Sequence, residues 1–279
     1  MKRIKKFISL LTISLVFLLF LYFQNNAITI TEHEVSSSKL PEEFDGFKIV
    51  QLSDLHSKEF GKSLPNKVRE AGPNIIVFTG DLVDQKNYDE LVSLKLMEEL
   101  VMIAPVYFVT GNHEAWSGKF NSLEEKLVAS GVHVLRNSHE SIRVKEDEII
   151  LIGIDDPAMI SGAHSEFSAV ETSLEDALHG VADQYKILLS HRPEMFSLYT
   201  SFNIDLIFSG HAHGGQIRLP FIDGLVAPNQ GFFPKYTAGK HQEAQSTMII
   251  NRGLGNSIIP QRLFNRPEIV IVTLRNDEL

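Results

Sequence analysis

The stretch Asn74-Ile-Ile-Val-Phe-Thr-Gly-Asp-Leu-Val-Asp84 decides the fold, because an apolar run ends abruptly in a glycine and two carboxylates. Its Ile, Val and Phe residues are typical of a central strand that is buried on both faces. Four further apolar runs lead into Asp54-Leu-His56, Gly111-Asn-His-Glu114, His191 and Gly210-His-Ala-His213. Ligands collect at the carboxyl ends of strands in open α/β sheets, so we expect all five segments to face one crevice.

The five segments supply carboxylate, amide oxygen and imidazole side chains, and the chain contains no cysteine. Imidazole suits Zn and Fe, whereas carboxylate and amide oxygen suit Mn, so the mixture predicts Mn, Fe or Zn. A pair of divalent ions needs a bridging ligand, normally a carboxylate, and generates a nucleophilic water near neutral pH. Hydrolysis of a phosphate ester is the reaction that this combination favours.

The segments D-x-H, G-D-x-x-D, G-N-H-E, H-x-P and G-H-x-H-G-G-Q together resemble the calcineurin-like metallophosphoesterase superfamily, from about Phe47 to Leu274. The resemblance implies an α/β fold in which two packed β-sheets are flanked by helices, a four-layer αββα sandwich. The continuation Gly214-Gly-Gln216 and the later Asn251-Arg-Gly-Leu-Gly255 are similar to one bacterial branch. That branch contains membrane-associated phosphodiesterases and the UDP-2,3-diacylglucosamine pyrophosphatases.

The resemblance also implies a site that holds two divalent metal ions. Its ligands would be Asp54, His56 and His213 for the first ion, Asn112, His191 and His211 for the second, and Asp81 for both. His113 would contact a phosphate oxygen or the leaving group. Asp84 would orient His113, as carboxylates commonly do for histidines near a metal.

Three functions are compatible with these residues. The first is metal-dependent hydrolysis of a phosphodiester or phosphomonoester at the cell membrane. The second is a pyrophosphatase of the UDP-2,3-diacylglucosamine type, acting on a nucleotide-lipid. The third is a catalytically idle, membrane-tethered binding protein, but the chain retains every ligand of the motifs and His113.

Other residues have two interpretations. Four arginines could bind an anionic substrate or form surface ion pairs: Arg192, Arg218, Arg252 and Arg262. Phe232 and Phe233 could line the site or belong to the core, and we predict the core. Asp155-Asp156-Pro157 is predicted to be a plain turn.

The N-terminus predicts a membrane anchor. Basic residues at positions 2–6 precede an apolar run from Phe7 to Phe23. The length of this run lies between that of a signal-peptide core and that of a full membrane helix. We predict an uncleaved single-pass anchor over residues 1–24. The alternative is a cleaved secretory signal. Basic residues are retained on the cytoplasmic side, so the catalytic domain would be extracytoplasmic. A linker over residues 25–43 and a catalytic domain over residues 44–279 complete the predicted organisation.

The distribution of charge bears on the partners. Residues 1–30 carry four basic residues and no acidic ones, which leaves 22 basic against 35 acidic residues in the remainder, a net of −13. A nucleic-acid surface would be basic, so none is expected. The expected partners are the membrane, through the N-terminal helix, and a phosphorylated envelope, lipid or small-molecule substrate; the sequence does not define an oligomeric state.

Periodicity predicts the elements between the metal-binding segments. Apolar residues recur at helical spacing over residues 63–71, 88–102, 122–130 and 167–179. Strands are predicted over residues 141–145, 148–154, 247–251 and 268–274.

Overall fold

The computed structural model describes residues 2–160, 164–219, 222–257 and 259–278. Its α-helices are α1 (Lys2–Asn26), α2 (Ser63–Ala71), α3 (Glu90–Val101), α4 (Asn112–Ser117), α5 (Phe120–Ala129), α6 (Glu166–Ala177) and α7 (Phe196–Ser201). Short 3-10 helices cover Glu42–Phe44, Pro157–Met159, Pro193–Met195 and His213–Gly215. The strands are numbered in chain order, and the two-residue strands are included. They are β1 (Thr29–Ser37), β2 (Lys48–Leu52), β3 (Ile75–Thr79), β4 (Val106–Val109), β5 (His133–Val134), β6 (Ser138–Val144), β7 (Asp147–Gly153), β8 (Lys186–Leu189), β9 (Leu206–Ser209), β10 (Arg218–Leu219), β11 (Ile222–Gly224), β12 (Val226–Ala227), β13 (Gly231–Phe232), β14 (Gly239–Glu243), β15 (Ser246–Ile250) and β16 (Glu268–Asn276).

Two six-stranded sheets form the centre of the fold. The first has the strand order β1-β16-β2-β3-β4-β5, and the second has the order β14-β15-β9-β8-β7-β6. Strands β2, β3 and β4 are parallel neighbours in the first sheet, as are β8 and β9 in the second. Antiparallel pairs lie toward the ends of the second sheet, where β14 pairs with β15 and β6 pairs with β7.

Three apolar layers confirm the predicted sandwich. Between the sheets, side chains such as Val77 and Val109 of the first pack with Leu189 and Phe208 of the second. Helices α2, α3 and α5 cover the other face of the first sheet, and α6 and α7 cover that of the second. Burial on both faces explains why the central strands are continuous apolar runs.

The five metal-binding segments follow the carboxyl ends of β2, β3, β4, β8 and β9. The ends of the two sheets meet directly, because the Gln51 side chain at the end of β2 donates to the carbonyl of Ser209 at the end of β9 (2.9 Å). The expected single crevice is therefore present.

The segment predicted as a linker, residues 25–43, instead contains strand β1 (Thr29–Ser37) of the first sheet and the start of the 3-10 helix Glu42–Phe44. Strand β1 pairs in parallel with β16 over nine residues, from Thr29 opposite Glu268 to Ser37 opposite Asn276. Its side chains are mostly polar and partly exposed, as is usual for an edge strand, so no apolar run marks it in the sequence. The prediction of a linker was wrong because the strand is specified by its partner β16.

Helix α1 is longer than the predicted anchor and ends at Asn26. At 1.5 Å per residue its 25 residues span about 37 Å, enough to cross a hydrocarbon core of about 30 Å. Its large apolar side chains are exposed, from Phe7 (68%) to Phe23 (51%), so the helix is not a core element of the sandwich.

Candidate metal centre

Asp81 lies at the centre of the site. Its Oδ1 accepts a hydrogen bond from the backbone N–H of His113 (2.8 Å), which fixes the carboxylate in one orientation. Its Oδ2 lies close to two histidines, with His56 Nε2 at 3.6 Å and His191 Nε2 at 3.3 Å. The side chain is therefore placed to be shared between two groups of ligands.

The first group joins Asp81 to Asp54, His56 and His213, whose candidate donor atoms all lie within 4.8 Å of one another. His213 Nε2 lies 3.2 Å from Asp54 Oδ1 and 3.0 Å from His56 Nε2. Two carboxylates and two imidazoles thus converge on one point, and all four residues are buried.

The second group joins Asp81 to His191 and His211. His211 Nδ1 lies 3.1 Å from His191 Nε2. The other ring nitrogen of His191, Nδ1, donates to the carbonyl of Thr79 at the end of β3 (2.7 Å). A backbone acceptor at Nδ1 fixes the tautomer, so Nε2 is left as the ligand atom.

Asn112 completes the set predicted from the sequence. Its side chain is buried, and its Oδ1 accepts no hydrogen bond from any residue that the structure describes. A buried amide oxygen without a partner is costly unless it binds something else. It lines the same cavity as Asp81 and His211.

The donor set fits divalent cations. Asp54 and Asp81 are 0% and 1% exposed, and burying two carboxylates so close together requires compensating positive charge. The predicted ligands, namely Asp54, His56, Asp81, Asn112, His191, His211 and His213, are all buried around this one point. The combination of carboxylate, amide oxygen and imidazole matches Mn, Fe or Zn by the chemistry of its donors.

The pKa values reflect the same crowding. Burial alone would raise the pKa of Asp81, but the neighbouring His191, His56 and His113 hold it well below its ordinary value. Burial likewise works against the charged form of His191, yet Asp81 raises its pKa to about 10. Asp81 and His191 therefore stabilise each other's charged forms, and a cation that binds here would compete with the proton on His191.

The backbone at the site adopts unusual conformations. Five of the seven predicted ligands have a positive φ: Asp54 (52°), His56 (49°), Asp81 (54°), His211 (62°) and His213 (47°). Such left-handed conformations cost about 1–3 kcal/mol each and cluster at functional sites. They turn each ligand sharply away from the end of its strand and toward the crevice.

Two glycines allow the segments to approach each other. A Cβ at Gly111 would lie 2.3 Å from Asp81 Oδ1, and one at Gly210 would lie 2.0 Å from Ser53 Oγ. These glycines are therefore required for close packing, beyond their role in turns.

Glu114 is a functional residue for which the sequence suggested no role. Its buried carboxylate accepts from the backbone N–H groups of Asp81 (2.8 Å), Leu82 (2.9 Å), Val83 (3.2 Å) and Gly111 (2.7 Å). It thereby holds the turn that presents Asp81. A glutamate three residues after a helix N-cap is the signal that could have revealed it, since Gly111 caps α4.

His113 lies at the edge of the centre and is partly exposed. Its Nδ1 accepts from the backbone N–H of Gln85 at 3.0 Å, and Asp84 Oδ2 lies 3.5 Å away. Asp84 is as close to His56 Nδ1, at 3.4 Å. The backbone of Gln85 thus fixes the ring of His113, and Asp84 lies at similar distances from a ring nitrogen of each histidine.

Asp155 and Asp156 are more than a plain turn, contrary to the prediction. Asp156 is buried and binds the guanidinium of Arg192 through two contacts, of 2.5 and 2.9 Å. Asp155 accepts from Thr110 Oγ1 (2.9 Å) and pairs with Arg136. The two carboxylates connect the ends of β4 and β7 with the segment that follows β8, which no local pattern reveals.

The four candidate arginines differ in position. Arg218 pairs with Asp223 and Arg252 pairs with Glu268, so both are engaged by carboxylates. Arg262 is buried and donates to backbone carbonyls, including that of Asn265 (3.1 Å). Only Arg192 of these four is among the described lining of the cavity, and its Nη1 lies 3.3 Å from His211 Nε2.

A cavity of about 120 Å³ opens over the centre. It is lined by Asp81, Asn112, His113, Trp116, Glu166, Arg192, His211, His213, Pro228, Asn229 and Ser257. Predicted ligands thus form its floor, while Trp116 and the segment around Pro228 form its walls.

Residues 47–215 match the family described as calcineurin-like phosphoesterase, which covers all five metal-binding segments. The chain belongs to this family. It is accordingly a metal-dependent phosphoesterase with a site for divalent metal, and the motifs that carried the resemblance are those whose side chains converge.

Relatives support the assignment over most of the chain. The metallophosphoesterase YkuE of Bacillus subtilis is 31% identical over 262 residues, which cover 91% of this chain and 88% of that protein. The phosphodiesterase YaeI of Escherichia coli is 28% identical over 239 residues, which cover 82% of this chain and 82% of that protein. A transmembrane protein with a metallophosphoesterase domain from Danio rerio is 30% identical over 88% of this chain, which spans only 57% of that protein.

Among solved structures, TT1561 of Thermus thermophilus has a TM-score of 0.52. The superposition covers 75% of this chain and 90% of the TT1561 chain, and the sequence identity is 15%. This likeness supports the fold.

Proposed function

We propose that this protein hydrolyses a phosphodiester or phosphomonoester at a centre of two divalent metal ions, on a substrate located at the membrane. The observation that carries the proposal is that Asp81 belongs to both ligand groups, with its Oδ2 3.6 Å from His56 Nε2 and 3.3 Å from His191 Nε2. A shared carboxylate is the feature that a two-metal centre needs and a single-metal site does not.

Each ion has its own ligands in this proposal. Asp54, His56 and His213 would hold the first, and Asn112, His191 and His211 the second. Divalent metal ions supply a nucleophilic water near neutral pH and polarise a phosphoryl oxygen.

His113 supplies a hydrogen-bond donor beside this centre. Because its Nδ1 accepts from Gln85, the neutral ring carries its proton on Nε2. His113 also lines the cavity, where a phosphate oxygen or the leaving oxygen of an ester would accept from it. Trp116 lies beside it, with the ring centroids 5.4 Å apart, and limits the positions that its ring can take.

Arg192 places a guanidinium at the cavity wall, where Glu166 Oε1 (3.7 Å) and Glu194 Oε1 (3.6 Å) also lie close to its Nη1. Asp156 holds its guanidinium in a bidentate contact, so the group is fixed before any substrate binds. A fixed guanidinium next to His211 suits an anionic phosphoryl group.

The location at a membrane is proposed from α1. The helix is long and apolar enough to span a bilayer, and its side chains are exposed along its length. The Danio rerio relative is named a transmembrane protein, which supports the same location. The basic residues at positions 2–6 favour a cytoplasmic N-terminus and an extracytoplasmic catalytic domain.

A hydrolysis screen of the purified protein with Mn tests the reaction. We expect turnover of bis-p-nitrophenyl phosphate or p-nitrophenyl phosphate that is lost with EDTA and restored by Mn. Hydrolysis of UDP-diacylglucosamine alone would instead establish the nucleotide-lipid pyrophosphatase. Absence of hydrolysis of every substrate by protein with metal bound would support the idle binding protein.

Protease treatment of intact cells tests the topology. With a tag after the C-terminus, an extracytoplasmic domain predicts that the tag is removed without lysis. A tag that is protected until the cells are lysed would place the domain in the cytoplasm, within reach of cytosolic nucleotide-lipids.

A further inference from the structure

We infer that four exposed apolar side chains, Leu219, Phe232, Phe233 and Phe264, form a surface that inserts into an anionic phospholipid bilayer. We call this surface the aromatic rim. Phe232 and Phe233 are 81% and 70% exposed, and Phe264 is 50% exposed. The prediction that Phe232 and Phe233 belong to the core is therefore wrong. The inference extends the proposed membrane location.

Backbone hydrogen bonds connect the segments that carry the aromatic rim. The N–H of Arg218 donates to the carbonyl of Leu263 (3.0 Å), which joins the segment that carries Leu219 to the segment that carries Phe264. The N–H of Leu225 donates to Ile217 (3.0 Å), and the N–H of Phe233 donates to Leu225 (2.9 Å). Several apolar side chains thus project from one connected part of the surface, and exposed patches of this kind mark interaction sites.

The end of α1 identifies the bilayer as the occupant. The Phe264 ring lies against the Phe20 ring, with the centroids 5.8 Å apart. Gln261 Nε2 donates to the carbonyl of Leu21 (3.0 Å), and the N–H of Arg262 donates to Asn25 Oδ1 (2.8 Å). The segment that carries Phe264 therefore lies alongside the last turns of the helix.

The depth of Phe264 follows from this contact. Phe20 precedes the helix end at Asn26 by six residues, which correspond to about 9 Å along the axis. Aromatic side chains favour the boundary between headgroups and acyl chains, about 5–10 Å below the surface. If α1 spans the bilayer, Phe264 already lies at that boundary, and the rest of the aromatic rim adjoins it.

The charge near the aromatic rim favours an anionic surface. Residues 214–240 and 251–267 contain six basic residues and one acidic residue, in a chain whose net charge is −9. The basic residues are Arg218, Lys235, Lys240, Arg252, Arg262 and Arg266, and the acidic one is Asp223. Arg218 and Arg252 pair with carboxylates and Arg262 is buried, which leaves Lys235, Lys240 and Arg266 as the cations available to a bilayer. Lys235 is exposed next to Phe233, and Arg266 lies over the Phe23 ring of α1 (5.2 Å to the centroid). Basic residues near a bilayer are attracted to anionic headgroups.

The aromatic rim also adjoins the metal centre. Pro228 and Asn229, between β12 and β13, line the cavity, as does Ser257. Insertion of the aromatic rim would thus open the cavity at the level of the headgroups. The phosphate ester that reaches it would be one held at the bilayer surface, where lipid phosphates lie.

The absence of cysteine allows a direct test with the full chain in vesicles. Phe233→Cys and Phe264→Cys would each carry the single thiol of the protein, for labelling with a polarity-sensitive fluorophore. Met102→Cys is the matched control, because Met102 is 83% exposed at the end of α3, on the side from which β4 begins. The vesicles would contain phosphatidylcholine with or without phosphatidylglycerol, and a doxyl-labelled lipid as quencher.

We expect the doxyl lipid to quench most of the fluorescence at Phe233 and Phe264 but not at Met102, and quenching at Phe233 to be stronger with phosphatidylglycerol. Quenching at Phe233 by aqueous iodide alone would overturn the inference, because the aromatic rim would then face water. Protection from both quenchers would also overturn it, since a second copy or another protein would then cover the surface.

Hydrolysis separates this inference from the proposed function. Phe232→Ser with Phe264→Ser should retain turnover of soluble bis-p-nitrophenyl phosphate and lose doxyl quenching at a label on Phe233→Cys, a position that α1 does not contact among the described residues. Loss of quenching with normal turnover would support the aromatic rim. Unchanged quenching would contradict it, whatever the activity of the centre.

Discussion

The metal centre and the aromatic rim lie next to each other but are built in opposite ways. The centre consists of buried polar side chains at the ends of five strands, several with left-handed backbone. The aromatic rim consists of exposed apolar side chains on two-stranded hairpins and a loop. Each reverses the usual rule of polar outside and apolar inside, and each such reversal marks a surface that binds something.

The difference lies in what each region needs in order to form. The ligands are held by rigid strands and by buried hydrogen bonds, such as those that Glu114 accepts from four backbone N–H groups. The aromatic rim depends on few contacts, so its side chains are replaceable one at a time. Substitutions should therefore have large effects at the centre and small effects on the chemistry at the aromatic rim.

The largest effect is expected for Asp81→Asn. A neutral amide bridges two cations poorly, so activity should fall by at least about 10³-fold, as when one member of a coupled catalytic unit is removed. Metal content should also fall below that of the wild type. The control is Asp183→Asn, the same change at a side chain that is 91% exposed. Near-normal turnover of the Asp81 variant would show that the carboxylate is not shared.

His113→Ala should retain the metal and lose about 10²–10⁴-fold in rate, the usual contribution of a positioned acid–base group. The loss should be smaller for substrates with very good leaving groups if His113 assists the leaving oxygen. His133→Ala, on β5 with its side chain 42% exposed, is the control and should have little effect. A large loss of bound metal from the His113 variant would make His113 a ligand.

Glu114→Gln should destabilise the fold by about 1–3 kcal/mol, because an amide N–H₂ would face backbone donors that now reach a carboxylate. The free energy of unfolding in urea measures this, and Glu125→Gln, on the exposed side of α5, is the control. Equal stability of the two variants would mean that the four N–H groups do not depend on the charge of Glu114.

The smallest effect is expected for Phe233→Ser assayed on a soluble ester. Surface substitutions usually change stability by less than about 0.5 kcal/mol, so turnover of bis-p-nitrophenyl phosphate should stay within about twofold of the wild type. A loss comparable to that of His113→Ala would place Phe233 within the catalytic site and remove the distinction between the two regions.

The same contrast explains what the sequence could predict. The ligands follow apolar runs directly, so a short pattern such as Gly80-Asp81 contains both the strand end and the side chain that leaves it. The runs predict buried strands with helices between them, whereas the two-sheet sandwich was implied by the resemblance to the metallophosphoesterases. For the ligands and these strands, local sequence is sufficient because each strand is buried on both faces.

Other features depend on partners that are distant in the sequence. Strand β1 is specified by β16, some 240 residues later, and Asp156 is specified by Arg192. The exposure of Phe232 and Phe233 depends on the hairpin of β12 and β13. Each of these strands has only two residues, which is too short for an alternation of apolar and polar residues to show which side chains are buried. An aromatic pair predicts burial by default, and only the surrounding structure shows that these two face outward.

Anomalous X-ray diffraction from crystals of the Mn-loaded protein tests the central claim most directly. The account predicts two Mn peaks about 3.5–4 Å apart, both in contact with the Asp81 carboxylate. One peak should adjoin Asp54, His56 and His213, and the other Asn112, His191 and His211. A single peak at full occupancy, or two peaks of which only one contacts Asp81, would contradict the assignment of a shared bridging ligand.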